Sequence, residues 1–249
     1  MFDIAGKVAL VTGGTRGIGA AIAGALVAGG AAVVIAGRAE TAGSVGFLDH
    51  LRQKGRAVAH YGDVRGADAA ATTVAAAQAA FGRLDILVHS AGGAAPGRIT
   101  AIEPQDWMAA FDIHVHAVYH LFRAAHPHLA RQGGAVVLVS SVAGLRGCPG
   151  SVAYQTVKAA VPQMARALAL DHGGEGIRVN AIAPGIIRTD FHAAMTDTAK
   201  AHNLANRIPL HREGTPEEVA SLAMELVRND FITGECFVID GGMSMRITA

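Results

Sequence analysis

The sequence predicts a doubly wound parallel α/β sheet of about seven strands, in a single domain spanning 1–249, and three observations carry that reading. Short β-rich apolar runs alternate with longer alanine-rich stretches along the whole chain. Most of the short runs are continuously apolar rather than alternating, the pattern of parallel strands covered on both faces. The 249 residues, 51% of them hydrophobic, are enough to bury one large core.

Taken in order, the first strand is KVALVT (7–12), which leads through a glycine-rich turn into a helix at 17–29. AAVVIA (31–36) and a helix at 40–54 follow, then RAVAHY (56–61) and a helix at 66–80. LDILVHS (84–90) precedes a long helix at 104–131, opened by Pro104, a residue suited to the first helical position. GAVVLVSS (134–141), a helix at 152–172 and IRVNAIA (177–183) continue the alternation. Thr215-Pro216-Glu217-Glu218 is a capping box with proline at its first helical position, so a helix runs from there to 228 before the last strand, CFVID (236–240). Strand–helix repeats of this length imply right-handed crossovers. Only 190–212 falls outside the rhythm, and an insertion of that kind is expected to act as a substrate lid.

Composition narrows the function classes. There are 21 Lys and Arg against 20 Asp and Glu, a net charge of +1, so the basic footprint of a nucleic-acid binder is absent. Only 16% of residues are charged, which together with the apolar content excludes intrinsic disorder. No run reaches the ~18 apolar residues of a membrane span. The opening MFDIAGKVALVTGG lacks the long apolar region of a secretory leader, and two cysteines, Cys148 and Cys236, make no disulfide framework. A cytoplasmic protein is expected.

Thr12-Gly13-Gly14-Thr15-Arg16-Gly17-Ile18-Gly19 joins the first strand to the first helix. Glycines there allow a tight turn and let the backbone approach a pyrophosphate at a helix N-terminus. An ordinary glycine-rich turn would look similar. The flanking strand and helix favour a dinucleotide, and the missing Lys-Ser/Thr argues against a nucleoside triphosphate loop.

Tyr154 and Lys158 are four apart in a helical stretch and so share one face. With 3 Tyr in the chain, chance produces such a pair with probability roughly 0.05, so the spacing is suggestive on its own. Ser141 ends a predicted parallel strand, where open α/β sheets place ligands, although a serine capping a turn would sit there too. Together the three have a chemical logic. A phenol exchanges a proton with a carbonyl or alcohol oxygen, a nearby ammonium is expected to lower the phenol's pKa, and a hydroxyl orients the substrate oxygen.

With these residues in view, the chain resembles the short-chain dehydrogenase/reductase family over essentially its whole length. The resemblance rests on TGGTRGIG at 12–19, Asp63-Val64, Ala91-Gly92, Ser141, Tyr154-x-x-x-Lys158, Asn180, Pro184-Gly185, Thr189, Thr233-Gly234 and Asp240-Gly241-Gly242. It implies a Rossmann-type sheet, a nicotinamide cofactor, and oxidation of alcohols or reduction of carbonyls. By position it implies Tyr154 as acid/base, Lys158 as ribose ligand and tuner of Tyr154, and Ser141 as holder of the substrate oxygen. It further implies contacts to the cofactor from Gly13, Thr15, Arg16, Gly17, Ile18, Gly19, Val64, Ser90, Ala91, Gly92, Pro184 and Gly185. Asp63 would meet adenine, and Ile187 and Thr189 the carboxamide. A homotetramer is implied as well, built on the helices at 104–131 and 152–172. Their alanines (Ala109, Ala110, Ala117, Ala124, Ala125, Ala159, Ala160, Ala165, Ala167 and Ala169) either allow close helix approach or pack on the sheet.

Two positions depart from the family pattern. Where many relatives have Asn-Asn-Ala-Gly, this chain has His89-Ser90-Ala91-Gly92, with Ser90 expected to keep a local hydrogen bond. Seven residues after Trp107, where the family has its tetrad Asn, stands His114. A neutral imidazole has one donor and one acceptor and can hold the relay water that the Asn supports. Five of the 12 histidines lie between 114 and 128, and His116 and His120 have i,i+4 spacing. No Glu accompanies them as in H-E-x-x-H, so no metal is expected.

The expected function is therefore a nicotinamide-dependent oxidoreductase of a secondary alcohol or ketone, with 3-oxoacyl thioesters and small polyols or sugars as competing substrates. The lid mixes Phe191, Met195 and Leu204 with His192, His202, Asn203, Asn206 and Arg207, which leans toward a polar substrate. The competing class is a catalytically silent dinucleotide-binding protein, suggested by Ser90 and His114. NADP is expected over NAD. The second strand ends in Ala36-Gly37-Arg38 with no carboxylate to accept ribose hydroxyls, and Arg16 and Arg38 could both bond a 2′-phosphate.

Overall fold

The structure, a computed structural model, describes residues 1–193 and 195–245; Ala194, inside the expected lid, and residues 246–249 lie outside them. Seven strands form one sheet: β1 (Val8–Thr12), β2 (Ala32–Gly37), β3 (Ala57–Tyr61), β4 (Ile86–His89), β5 (Gly134–Val139), β6 (Ile177–Pro184) and β7 (Cys236–Ile239). Their order is β3-β2-β1-β4-β5-β6-β7, and every neighbouring pair is parallel. The helices are α1 (Gly17–Ala28), α2 (Ala42–Lys54), α3 (Ala67–Phe81), α4 (Pro104–Phe111), α5 (Ala117–Leu129), α6 (Val152–His172), α7 (Asp197–His202) and α8 (Pro216–Arg228).

The unbroken apolar runs have a simple cause. Alternate residues of each strand point to opposite faces, and both faces carry helices. Ala9, Val11, Val33, Ile35 and Val137 pack with α1 and α8 through Ile22, Leu26, Val219 and Val227. Val8, Leu10, Val34, Leu87 and Val136 pack with α3, α5 and α6 through Val74, Leu121 and Ala165. Leu10, Leu26, Leu87 and Leu121 are fully buried, each contributing about 1.5–3 kcal/mol relative to exposure. Asp85 ties the amino edge of the sheet together: its buried carboxylate accepts from the Val8 N–H at 2.9 Å and from Arg83 at 2.8 and 2.6 Å.

The expected helix at 104–131 is helical without a break from Pro104 to Leu129, with one irregularity. A π turn at Asp112–His116, in which the Ala117 N–H donates to the Asp112 carbonyl five residues back, lies between α4 and α5. The expected lid is mostly helical. It holds a 3₁₀ turn at Asp190–His192, then α7, capped by Thr196 through the Ala199 N–H at 3.2 Å, and a π turn at Asn203–Arg207. The β7 strand, at the edge, is only half-buried. Among the described residues no helix is long and apolar enough to cross a membrane.

Strand order reverses at β1, which lies between β2 and β4. In open α/β sheets ligands bind beyond the carboxyl ends of the strands at that reversal, and the expected site residues gather there.

Candidate active site

The glycine turn is shaped by close backbone approach. Gly13 has φ +64°, and a Cβ on it would lie 2.8 Å from the Ser90 carbonyl and the Ala91 nitrogen, so the turn sits flush on the end of β4. Arg16 precedes α1 without a side-chain cap, and the first turn holds no acidic residue. Its first N–H groups are thus left for an anion, which fits a pyrophosphate. A Cβ on Gly17 would touch the Thr189 methyl at 3.4 Å, and one on Gly37 would meet Thr15 at 2.7 Å. The end of β2 therefore abuts the glycine turn, with Arg38 the residue after Gly37 and Arg16 the residue after Thr15. Both arginines are exposed, and neither guanidinium has a hydrogen bond or ion pair among the described residues. The Asp63 carboxylate is held by Arg65 at 2.7–3.0 Å and accepts from the Val64 and Arg65 N–H groups, and the Arg65 hydrogen bond brings it down to about 2.

Ser141, Tyr154 and Lys158, the trio singled out in the sequence, lie near one another. Ser141 follows β5 and accepts from the Ala143 N–H at 3.2 Å, starting a 3₁₀ turn at Val142–Gly144. Tyr154 and Lys158 lie one turn apart near the start of α6, and the Ser141 side chain is near enough to the phenol to favour its ionised form. The buried Lys158 Nζ donates to the Val139 carbonyl at 2.8 Å and stands 5.7 Å from the Tyr154 ring centroid. Two neighbours that sequence reasoning passed over fix the distance between turn and helix. Ser140 Oγ donates to the Lys158 carbonyl at 2.7 Å, and a Cβ on Gly144 would lie 2.6 Å from that same oxygen. Neither residue carries a periodic or motif signal of its own; their partner lies on α6.

The electrostatics differ from the expected ammonium-activated phenol. Burial pushes the Lys158 amine down to about 7 and pushes the Tyr154 phenol up. The influence that lowers the phenol comes from Ser141 rather than from Lys158. The reason is desolvation: removal of water penalises ammonium and phenolate alike, and the amine is turned to a backbone carbonyl.

Two histidines complete the site. His89 ends β4 fully buried, with Nε2 3.0 Å from the Ile113 carbonyl and Nδ1 2.9 Å from Thr12 Oγ1. A carbonyl can only accept, so Nε2 carries the proton and Nδ1 accepts from the Thr12 hydroxyl. His89 thus ties β1 and β4 to the π turn, a role its sequence position did not suggest; Ser90 contributes its backbone N–H to the Thr12 carbonyl at 3.1 Å. His114, inside the π turn, donates from Nε2 to the Gly93 carbonyl at 3.0 Å and lies flat against the bare Cα of Gly92. Its ring stands edge-on to Tyr154, with centroids 5.8 Å apart, and its Nδ1 is buried without a hydrogen-bond partner among the described residues. Burial, assisted by the Lys158 charge, brings His89 down to about 4 and His114 to about 3, so both are neutral imidazoles.

At the far side of the site, Ile187 is buried and pairs with Gly214, Thr189 Oγ1 donates to the Ile187 carbonyl at 3.4 Å, and Gly185 packs closely on Asp240 after Pro184 ends β6. Asn180 is structural: its amide spans the Ile232 carbonyl and the Glu235 N–H, away from the trio. A cleft of about 300 Å³ beside Ser141 is lined by Val142, Ala143, Arg146, Cys148, Arg207 and Met243. A larger groove of about 770 Å³ runs along the outer face of α1 toward α2 and α8, and the trio does not line it.

Known proteins match this arrangement along its length. A family model described as enoyl-(acyl carrier protein) reductase matches residues 13–244. A 3-oxoacyl-[acyl-carrier-protein] reductase of Chlamydia muridarum is 36% identical over 96% of this chain and 97% of its own. A meso-2,3-butanediol dehydrogenase of Serratia marcescens is 34% identical over 95% of this chain and 94% of its own. A solved short-chain type dehydrogenase/reductase from Mycobacterium ulcerans, 33% identical, superposes with a TM-score of 0.92 over 99% of this chain and 93% of that one.

Proposed function

The chain belongs to the short-chain dehydrogenase/reductase family of oxidoreductases acting on CH–OH groups, and on that premise we propose that it interconverts a secondary alcohol and a ketone with NADP(H) as cofactor. The observation that carries the reading is the Ser141–Tyr154–Lys158 cluster at the carboxyl edge of the sheet, half-buried at its two hydroxyls and buried at the amine. Its intact assembly speaks against the catalytically silent alternative. A bound nicotinamide ring supplies the hydride chemistry that side chains lack. The uncapped start of α1 and the bare glycine turn suit its pyrophosphate, and the adjacent, unpaired Arg16 and Arg38 suit a 2′-phosphate.

Tyr154 Oη exchanges the proton with the substrate oxygen, which Ser141 Oγ orients. Lys158, titrating near 7, can both hold and release a proton at neutral pH and so can reload the phenol. His114 acts as a positioning residue: its orphaned Nδ1 accepts from a water of the relay, taking the place of the family's Asn. The guanidiniums of Arg146 and Arg207 on the walls of the cleft favour a polar ketone or diol over a purely apolar one, and 190–212 serves as its lid. The exposed Met108, Tyr119 and Leu170, beside the exposed Ala109, Ala159 and Ala167, suit a homotetramer built on α4, α5 and α6; Ala110, Ala117, Ala125, Ala165 and Ala169 pack inward instead. The free thiols of Cys148 and Cys236 suit a reducing, cytoplasmic setting.

The test is oxidation of NADPH and NADH, followed spectrophotometrically, against a panel of 3-oxoacyl thioesters, hydroxyketones and diketones. Turnover with NADPH and a polar ketone is expected. Tight cofactor binding with no turnover on any member would overturn the reading, and light scattering that gives a monomer at micromolar concentration would overturn the assembly.

A further inference from the structure

We infer that His126, His172 and Glu175 form a zinc site at the end of the molecule opposite the catalytic cluster. His126 is in the last turn of α5 and His172 is the last residue of α6, and a 3₁₀ turn brings Glu175 back over both. His126 Nε2 lies 2.6 Å from Glu175 Oε2, His172 Nδ1 lies 3.1 Å from Glu175 Oε1, and the three ligand atoms all fall within 4.8 Å of one another. The α6 helix separates His172 from Lys158 by 14 residues, about 21 Å at 1.5 Å per residue.

The donor set suits zinc. Two imidazoles and one carboxylate at about 2.0–2.2 Å from the ion form the three-ligand pattern that leaves a fourth position to water. Tetrahedral bonds of that length place ligand atoms roughly 3.3 Å apart, so the two short contacts of 2.6 and 3.1 Å must open slightly and the widest separation, within 4.8 Å, must close. Binding requires the lone pairs of His126 Nε2 and His172 Nδ1, each imidazole carrying its proton on the other ring nitrogen. Two further features favour a cation. The carbonyl ends of α5 and α6 both point here, and their partial negative charge adds to that of Glu175. The buried ring of Phe122 packs on both imidazoles, with centroids 6.1 and 5.0 Å away, which limits their rotation. Sequence spacing pairs His116 with His120 and finds no carboxylate. The fold supplies the carboxylate from 49 residues beyond His126.

The experiment uses the untagged full-length protein, stripped with chelator and titrated with zinc chloride in competition with a chromogenic chelator. One equivalent per chain with micromolar or tighter affinity is expected, with the affinity weakened at least tenfold in both H126A and E175Q and with a Tm that rises on zinc addition in the unmodified protein alone. E175Q keeps the shape of the carboxylate should H126A fold poorly. NADPH-linked turnover, where present, is expected to be unchanged in H126A; binding is read independently of it, so loss of the enzymatic reading leaves this result standing. Less than one equivalent, or equal affinity in the unmodified protein and E175Q, would overturn the site and leave the trio as a hydrogen-bonded ion-pair cluster.

Discussion

The glycine turn and the Ser141–Tyr154–Lys158 cluster with its two histidines lie at the same edge of the sheet and are made of different material. The turn is defined by what is missing: no Cβ at Gly13, Gly17 or Gly37, no side-chain cap on α1, and two arginines standing in solvent. The cluster is defined by what is buried: Lys158, His89 and His114 sit in the interior, each displaced from its ordinary pKa by loss of water. Affinity at the first region should answer to volume and salt, because it depends on backbone approach and exposed charge. Activity and stability at the second should answer to pH, because its groups are held in one protonation state by low dielectric.

The largest expected effect breaks the cluster at its centre. Tyr154→Phe should lower kcat by about 10²–10⁴-fold while cofactor affinity, measured by fluorescence titration, stays near the unmodified value. Near-normal turnover would remove Tyr154 from its role.

Acid should undo the buried histidines. His89 near 4 and His114 near 3 lie below the ordinary 6.5, so the unfolded chain takes up protons that the folded protein refuses. Their contribution is complete above about pH 6.5 and is lost as pH falls through the interval down to about 4. At 1.36 kcal/mol per pKa unit, each residue accounts for roughly 3 kcal/mol or more over that interval. Urea melts at stepped pH should show the slope, and His89→Asn should flatten it; a slope unaltered by that change would assign the acid sensitivity elsewhere.

The glycine turn should fail by volume. Gly13→Val faces both a positive φ and backbone atoms 2.8 Å from its Cβ, a misfit of about 1–3 kcal/mol. Dissociation constants for NADPH are expected to rise roughly 10–100-fold, with no shift in the pH dependence of kcat. A changed pH profile would mean that the two regions are coupled.

Charge decides cofactor choice at the same turn. Arg38→Asp should exchange one to two charge-assisted hydrogen bonds for repulsion of the 2′-phosphate, moving the NADPH to NADH ratio of kcat/KM by about 10–100-fold toward NADH. The unmodified enzyme should lose NADPH affinity faster than NADH affinity as salt rises. An unmodified enzyme that prefers NADH would refute the assignment.

The smallest effect concerns the orphaned nitrogen. His114→Asn should keep most of the turnover, whereas His114→Leu should lose about tenfold, the worth of one hydrogen bond in the relay. Equal rates in all three would make the position a spectator.

The sheet was legible in the sequence because strands buried on both faces cannot alternate, and seven such runs announce seven parallel strands. The trio was legible because Tyr154 and Lys158 share one helix face and Ser141 closes one strand, relations internal to single elements. What stayed hidden depends on contacts between elements. His89 acts through Ile113, 24 residues away, and Ser140 and Gly144 act through the Lys158 carbonyl. The π turn in 104–131 is a local change of hydrogen-bond partners inside continuous helix, for which the residue types carry no signal. The direction of the Tyr154 shift required knowing that its neighbour Lys158 is buried too.

The strand order is also compatible with assembly in the order of synthesis. β1 can pair with β2 as soon as both have emerged, and β3 can then join the free side of β2; β4 can take the other side of β1, and β5, β6 and β7 can extend that margin in turn. No strand ever has to be wedged between two already paired. The sheet can therefore grow by accretion at the pace of synthesis, about 5–20 residues per second. Until Cys236–Ile239 emerges, however, each growing margin is a bare apolar strand, and it is over that interval that the nascent protein is most open to wrong partners.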